Sequence, residues 1–416
     1  MTGAAHPTHP PTADNAELTA WLIRQGLEGT GHEALLQGYC QQLIARGVPL
    51  FRLHVAQRAF HPEFGGMGFD WWRDTGLSRE RYAHENSVAD SWRNSPLYHL
   101  LISGQTEMRE TLAHMDANGR FPILQELREK GATDYFAMAM AFEKLPPGRP
   151  IDPQNTPEGI VISWTSDHGD GFSAAHIRLI RDVMPALGLA LKSASNRRMA
   201  RELLAVYLGA DAGARVLSGE IRRGSLQRID AAICYFDLSG FTRLAERTEV
   251  ELLIGMLNDY FGLAVDHVQS RGGTVLKFIG DGLLAMFDGP DKQAASVAAL
   301  DMAAALRRRI AARNLERAGE GQPTADVTLA LHAGEIFYGN IGGKDRLDFT
   351  VIGPTVNLAA RLSDMHAALG QSVILSEAIV RYAGETGHDL VPLGRVMLRG
   401  VAAPQPLFTL HDPGQV

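Results

Sequence analysis

The sequence predicts an α+β chain of two units joined by a helical stretch, the second unit built on a strand–helix–strand–strand–helix–strand core. Three observations carry that prediction. All 5 tryptophans (Trp21, Trp71, Trp72, Trp92, Trp164) precede residue 165 of 416, while the remainder is rich in Ala, Leu, Gly and Arg. From about Ser173 to Leu217, apolar residues recur at helical spacing around the charged patch Asn196-Arg197-Arg198-Met199-Ala200-Arg201-Glu202. After Gly219, Gly224 and Ser225 break that helix, short apolar runs alternate with longer helical ones from Ile229 onward.

Composition narrows the functional classes. The chain is 45% apolar and 21% charged, ordinary values for a protein with a sizeable core. A formal charge of -7, with no basic arm, argues against non-specific nucleic-acid binding. Only Cys40 and Cys234 occur, so no disulfide framework is expected and a reducing, cytoplasmic setting fits. Apolar stretches such as Val183 to Leu191 are too short to span a bilayer, so no membrane insertion is expected. Residues 1–15 are Pro/His/Thr-rich without an apolar h-region, which predicts a disordered N-terminus rather than a signal peptide.

The first unit, residues 16–192, reads as helices over about 16–28 and 31–47, a strand from Leu50 to Phe60, and a Gly/aromatic turn with Trp71-Trp72. Gly65-Gly66-Met67-Gly68 reads as part of a turn, since no strand-then-helix setting for phosphate binding surrounds it. Phe64, Phe69, Trp71 and Trp72 read as core. Helices follow near Pro96 to Ser103 and Pro122 to Lys130, then strands Tyr135 to Glu143 and Gly159 to Thr165. Asp170-Gly171-Phe172-Ser173 then caps an amphipathic helix from Ala174 to Lys192. His54 with His61, and His84 with His99, lack ligand spacing and read as solvated or packed histidines. This order of elements resembles a GAF-type sensor domain, in pattern only. The resemblance implies an effector, of unknown chemistry, acting through the linker of residues 193–228.

In the second unit, residues 229–412, the apolar run Ile233-Cys234-Tyr235-Phe236 ends at Asp237. A long helix from Phe241 to about Ser270 leads to a tight hairpin, Thr274 to Phe287, with Asp281 at its tip. A helix from about Asp291 to Arg317 follows, then the strand Asp326 to His332, the stretch Gly334 to Ile341 and the strand Leu347 to Ile352. The helix Thr355 to Leu369 and two short strands complete the unit. The front of this order is the ferredoxin-like βαββαβ arrangement. Two carboxylates delivered to one sheet edge can hold divalent cations against a triphosphate.

Three segments are similar, in order and at compatible spacing, to class III nucleotide cyclases: Tyr235 to Thr242, Gly272 to Gly282, and Asp348 to Arg361. The resemblance implies that Asp237, Asp281 and the backbone of Leu238 hold two Mg²⁺ or Mn²⁺ ions, and that Leu238, Ser239, Gly240, Phe241 and Thr242 offer main-chain groups to phosphate. It implies that Lys277 and Thr350 read the base. Lysine is a pure donor and suits adenine N1; guanine N1 carries a hydrogen. It implies that Asn357 orients the ribose and Arg361 stabilises charge on the α-phosphate, the two lying four apart on one helix face. Arg346 and Arg399 are implied as further phosphate contacts. Ser239 and Pro354 depart from the commoner pattern but fall at neither metal nor base-reading positions. In that family the carboxylates come from one protomer and the lysine, threonine, asparagine and arginine from the other, so the full set in one chain implies a homodimer with two shared sites. The expected activity is conversion of ATP to 3′,5′-cyclic AMP and pyrophosphate, a phosphorus–oxygen lyase. The alternatives are a guanylate or other nucleotide cyclase, or an inactive nucleotide-binding signalling protein.

Overall fold

The computed structural model describes residues 13–59, 61–84, 90–113, 120–143 and 158–411. The chain divides into two compact units, Met1–Leu203 and Leu204–Val416. The expected disorder of residues 1–15 lies outside the described residues up to residue 12, and a helix opens at Ala13.

The first unit comprises α1 (Ala13–Glu28), α2 (His32–Ala45), β1 (Leu50–Arg58), β2 (Phe64–Trp72), β3 (Gly76–Ala83), α3 (Asp90–Arg93), α4 (Pro96–Ser103), β4 (Glu107–Thr111), α5 (Pro122–Glu129), β5 (Asp134–Ala141) and β6 (Gly159–Ser166). It ends in α6 (Ala174–Leu208), a helix that contains the point of division. The six strands form one antiparallel sheet in the order β3-β2-β1-β6-β5-β4. Alternate strand residues face opposite ways. One face, with Leu53, Val55, Phe69, Phe136 and Trp164, packs under α1, α2 and α6; the other, with Ala56, Tyr135, Ala137 and Val161, packs under α4 and α5.

Two expectations are corrected here. The Gly65–Gly68 stretch and Trp71-Trp72 are strand, not turn. The glycines make room for the neighbouring strand, because a Cβ at Gly68 would lie 2.2 Å from the Tyr82 hydroxyl. The helix opening at Ala174 runs on through Pro185 and past Lys192 to Leu208. Gly209, at φ +86, then breaks it before α7 (Ala210–Leu217).

The second unit continues with β7 (Leu226–Leu238), α8 (Phe241–Ala245), α9 (Val250–Gln269), β8 (Thr274–Ile279), β9 (Gly282–Asp288), α10 (Lys292–Gly319), β10 (Val327–Gly342) and β11 (Leu347–Ile352). Then come α11 (Pro354–Ser363), α12 (His366–Leu369), β12 (Val373–Ser376), α13 (Glu377–Ala383), β13 (Leu390–Val396) and β14 (Gln405–Leu410). The sheet order is β13-β14-β12-β10-β7-β9-β8, with β11 paired to β10. Its β10-β7-β9-β8 portion, antiparallel throughout, is the expected ferredoxin-like core. α9, α10 and α13 cover one face through Met256, Tyr260, Ala299, Leu306 and Ile379. Ala212 of α7 and Val356 and Ala359 of α11 pack on the other face with Ile233, Met286 and Tyr338.

Here too the helices and strands differ in detail from expectation. The helix expected over Phe241–Ser270 is two, because Glu249 is extended (φ -59, ψ 143) and starts α9 afresh. The helix expected over Thr355–Leu369 is likewise α11 and α12. Conversely, the stretches on either side of Ala333 are one strand. Gly334 keeps it continuous, since the Thr355 hydroxyl occupies the space a Cβ would need, at 2.7 Å.

Candidate active site

Asp237 is the last residue but one of β7, the strand held between β10 and β9. Register pairs Phe236 with Leu283 and Ile279 with Gly282, so Gly280 and Asp281 form a two-residue hairpin turn beside the end of β7. Gly280 takes φ +62, and Asp281 does not take a positive φ. That sign pattern, with glycine first, is the type II′ hairpin turn that suits the strand twist. Gly282 closes the approach. A Cβ there would meet the Phe236 carbonyl oxygen at 2.5 Å and Asp237 Oδ1 at 3.1 Å. The two carboxyl groups are therefore driven together.

Burial, the neighbouring Asp281 charge and a hydrogen bond between the two carboxyls push Asp237 up from 3.8 to about 6, against a Leu238 N–H that favours the charged form. Like charges in contact relieve their repulsion by sharing a proton or binding a cation. Both groups are hard oxygen donors, the chemistry of Mg²⁺ and Mn²⁺ sites. No cluster of three or more His, Cys, Asp or Glu exists among the described residues. A cation here would have two protein carboxylates and need phosphate or water oxygens for its other positions, the usual habit of Mg²⁺.

The loop after Asp237 supplies less than expected. Ser239 N–H already donates to the Asp326 carbonyl at 2.8 Å. Gly240 sits at φ +71 ahead of the five-residue α8. A helix of barely one turn carries little dipole, so what Phe241 and Thr242 offer is first-turn N–H groups without intrahelical acceptors. Asp237, Leu238, Ser239 and Gly240 line a cleft of about 960 Å³ that also touches Arg307, Asp326, Asp364 and His366. Lys277, Thr350, Asn357 and Arg361 are not among its walls.

Those four lie on other elements. Val275 pairs with Ala285 and Lys277 with Leu284, so Leu276 is bulged and the strand re-aims Lys277. Lys277 Nζ contacts Asp348 Oδ2 on β11. Thr350 is two residues further along β11, half-buried, and Phe349 and Val351 face the core between them. α11 begins with Pro354 in its first turn after Gly353, so proline starts rather than disrupts the helix that presents Asn357 and Arg361. Asn357 is exposed, and Arg361 Nη1 donates to the Gly400 carbonyl at 3.3 Å, beside the exposed Arg399. Arg346 is exposed, in the β10–β11 connection, where its carbonyl accepts from Gly343 N–H at 2.8 Å. No hydrogen bond or ion pair among the described residues joins the Asp237–Asp281 pair to Lys277, Thr350, Asn357, Arg361, Arg346 or Arg399.

Residues 226–412 match the adenylate and guanylate cyclase catalytic domain. This part of the chain belongs to that family. An adenylate cyclase of Anabaena cylindrica is 31% identical over 162 residues, 39% of this chain and 32% of its own length. Adenylate cyclase 1 of Rhizobium meliloti is 32% identical over 188 residues, 44% of this chain and 28% of its own. The chain thus spans about a third of the length of these curated relatives. The crystal structure of the adenylyl cyclase CyaB from P. aeruginosa is 26% identical, covers 46% of this chain and 98% of that one, and superposes with a TM-score of 0.42. Asp237, Asp281, Lys277, Thr350, Asn357, Arg361, Arg346 and Arg399 all fall inside the cyclase domain. Sequence reasoning did not find Asp348, whose contact with Lys277 pairs residues 71 apart in the chain. Among the described residues no helix is long and apolar enough to cross a membrane.

Proposed function

We propose that the chain is an adenylate cyclase, converting ATP to 3′,5′-cyclic AMP and pyrophosphate at sites completed by a second copy. The observation that carries this reading is the Asp237–Asp281 pair, two mutually repelling carboxyls at one strand end with a cleft beside them. They would hold two divalent cations, Mg²⁺ or Mn²⁺, which when bound lower the pKa of the ribose 3′-hydroxyl and neutralise the phosphates. Lys277 donates to adenine N1, and Thr350, on β11 two residues from the Asp348 that Lys277 contacts, reads the base with it. Asn357 orients the ribose. Arg361, always ionised, stabilises charge on the α-phosphate as the 3′-oxygen attacks phosphorus in line and the bond to pyrophosphate breaks. Phe241 and Thr242 N–H groups meet phosphate oxygens, with Arg399 and Arg346 as outer contacts.

Cyclase catalytic domains act as dimers, and two features support a homodimer here. The walls of the cleft at Asp237 omit Lys277, Thr350, Asn357 and Arg361. Phe278 and Ile279, adjacent to the Asp281 turn, are 53% and 48% exposed, as are Val250 at 63% and Ile254 at 51% on α9, an apolar fringe suited to a partner. The test is complementation: Asp237→Ala and Asn357→Ala are each silent alone, and random pairing of the two restores roughly a quarter of wild-type turnover, one whole site in half the dimers. Absence of restored activity overturns the shared site. Competing all four nucleotides with Mn²⁺, with the product identified by mass spectrometry, tests the substrate.

The reading extends to control by the first unit, as a GAF-like sensor acting through α6 and α7. Its six-stranded antiparallel sheet between helical layers supports that assignment. Removal of residues 1–190 should change activity, dimerisation or effector response; if all three stay the same, this part fails. Two free, buried cysteines are in keeping with a cytoplasmic setting.

A further inference from the structure

We infer that Gly334 is a positioning residue for the reaction: the space it leaves on β10 seats the Thr355 hydroxyl, and that seat sets where α11 presents Asn357 and Arg361. The inference rests on the shared-site reading and adds to it a residue that acts through others. A glycine inside a strand weakens it and often marks close approach by another group. Gly334 does not take a positive φ, so its backbone is open to any residue and only space calls for glycine. A Cβ there would lie 2.7 Å from Thr355 Oγ1 and 3.4 Å from Thr355 Cγ2.

The contact is fixed from both sides. Thr355 is buried, and its hydroxyl donates to the Glu335 carbonyl at 2.6 Å, so it cannot retreat from β10 without losing that bond. Gly334 and Glu335 are held in turn by pairing with Ala231 and Asp230 of β7. Thr355 is the second residue of α11, and with Val356, Ala359 and Leu362 it forms the buried underside of the helix. Asn357 is exposed and Arg361 half-buried. At the usual rise, Asn357 lies about 3 Å along the axis from Thr355 and Arg361 about 9 Å. A Cβ at Gly334 would lift the Thr355 end by a fraction of an ångström, tilting α11 on its Ala359 and Leu362 contacts. Asn357 rides on the lifted end. Misplacing a reacting group by about 1 Å can cost about a hundredfold, so a smaller shift still shows in the chemical step.

The test compares Gly334→Ala, Thr355→Ala and the two combined in the full chain. Gly334→Ala should lower kcat by about tenfold or more while KM for ATP and Mn²⁺ stays within about twofold, because the carboxylates and the loop after them are untouched. Adding Thr355→Ala leaves a Cβ–Cβ contact of 3.6 Å and should return kcat to within about threefold of Thr355→Ala alone. Mixing separates positioning from damage to the fold. Gly334→Ala with Asp237→Ala should regain about a quarter of wild-type turnover, because one mixed site has whole carboxylates and an undisturbed α11. Gly334→Ala with Asn357→Ala should regain none. An unchanged kcat in Gly334→Ala overturns the inference, as does a double variant no better than Gly334→Ala. So does a lack of gain with Asp237→Ala when Asp237→Ala and Asn357→Ala restore each other. If that control pair restores nothing, the shared site falls, and the double variant still decides the role of Gly334. If Gly334→Ala does not fold, Thr355→Val reads the same seat. It should lower kcat by about threefold through the lost hydrogen bond while Thr355→Ser does not, and equal kcat in the two overturns the inference.

Discussion

Two carboxylates, Asp134 in the first unit and Asp237 in the second, are treated in opposite ways. In the first, Asp134 is 1% exposed and fully engaged: it accepts from Arg109 Nη2 at 2.6 Å and from Phe172 N–H at 2.8 Å. His32 accepts from Gln57 Nε2 at 3.0 Å and stacks on Phe69 at 5.0 Å. In the second unit, Asp237 and Asp281 are pressed against each other with no cationic side chain between them. Polar groups satisfied from within hold a fold together. A pair left repelling at a strand end is relieved by a proton or a cation from outside, and on the proposed function that contrast separates the chemical carboxylates from the structural one.

The largest effects follow from that contrast. Asp237→Ala should reduce turnover by about a thousandfold, the several kcal/mol a divalent cation supplies, while the melting temperature stays level or rises because a like-charge contact is gone. Steady-state kinetics beside a thermal melt checks both, and a large loss of stability would place Asp237 with the structural carboxylates. Asp134→Ala should do the reverse. It strands the Arg109 guanidinium and the Phe172 N–H, costing about 3 kcal/mol in a denaturant titration, with kcat per folded molecule intact.

A pH series sharpens the comparison, because each unit buries a neutral histidine. Burial, aided in His32 by the Arg198 charge, lowers His32 from 6.5 to about 4, and burial alone does the same to His332, which lies 2.7 Å from the Ser376 hydroxyl. The unfolded chain takes up these protons near 6.5, and the folded chain only near 4. The stability they represent is therefore complete above 6.5 and lost as pH falls from 6.5 toward 4, by about 3 kcal/mol each at the limit. Unfolding midpoints at pH 7.5 and 5 should diverge in the first unit, whereas in the second the raised Asp237, protonated over the same range, offsets much of the His332 loss. His32→Gln should flatten the divergence in the first unit, and His332→Gln should leave the second unit more stable at pH 5 than at 7.5.

How much of this was legible in the sequence follows from the range of each interaction. The Asp237–Asp281 pair could be read because a strand end and a glycine turn are local signals, and Gly280 and Gly282 stand where the backbone demands them. β2 was missed because a glycine-rich strand carries no alternation of its own; its pattern exists only once Tyr82 of β3 fills the space over Gly68. The single long helix expected after Asp237 failed because no glycine or proline marks the break at Glu249. Asp348 and Asp211 were invisible because their partners, Lys277 and Tyr338, are 71 and 127 residues away. Periodicity reports which face is buried, not which distant charge will meet it.

The smallest effect tests whether the rule works inside the second unit as well as between the two. Tyr338, 2% exposed, donates its hydroxyl proton to Asp211 Oδ2 at 2.8 Å, and Arg215 of α7 holds the same carboxylate at 2.9 Å. Burial foremost, with that carboxylate, drives the phenol well above its ordinary range, so it remains a donor at any working pH. This polar group is satisfied from within although it belongs to the catalytic unit. Tyr338→Phe keeps the ring against Phe349 and removes only the hydrogen bond, and Arg215 still satisfies Asp211. The expected cost is about 1 kcal/mol in the second unit's unfolding midpoint, with kcat and KM for ATP within about twofold, the scatter of a substitution remote from the reacting atoms. A fall in kcat beyond tenfold with stability unmoved would show that internal satisfaction does not mark a residue as structural, because the α7 anchor would then act on the chemistry rather than on the fold.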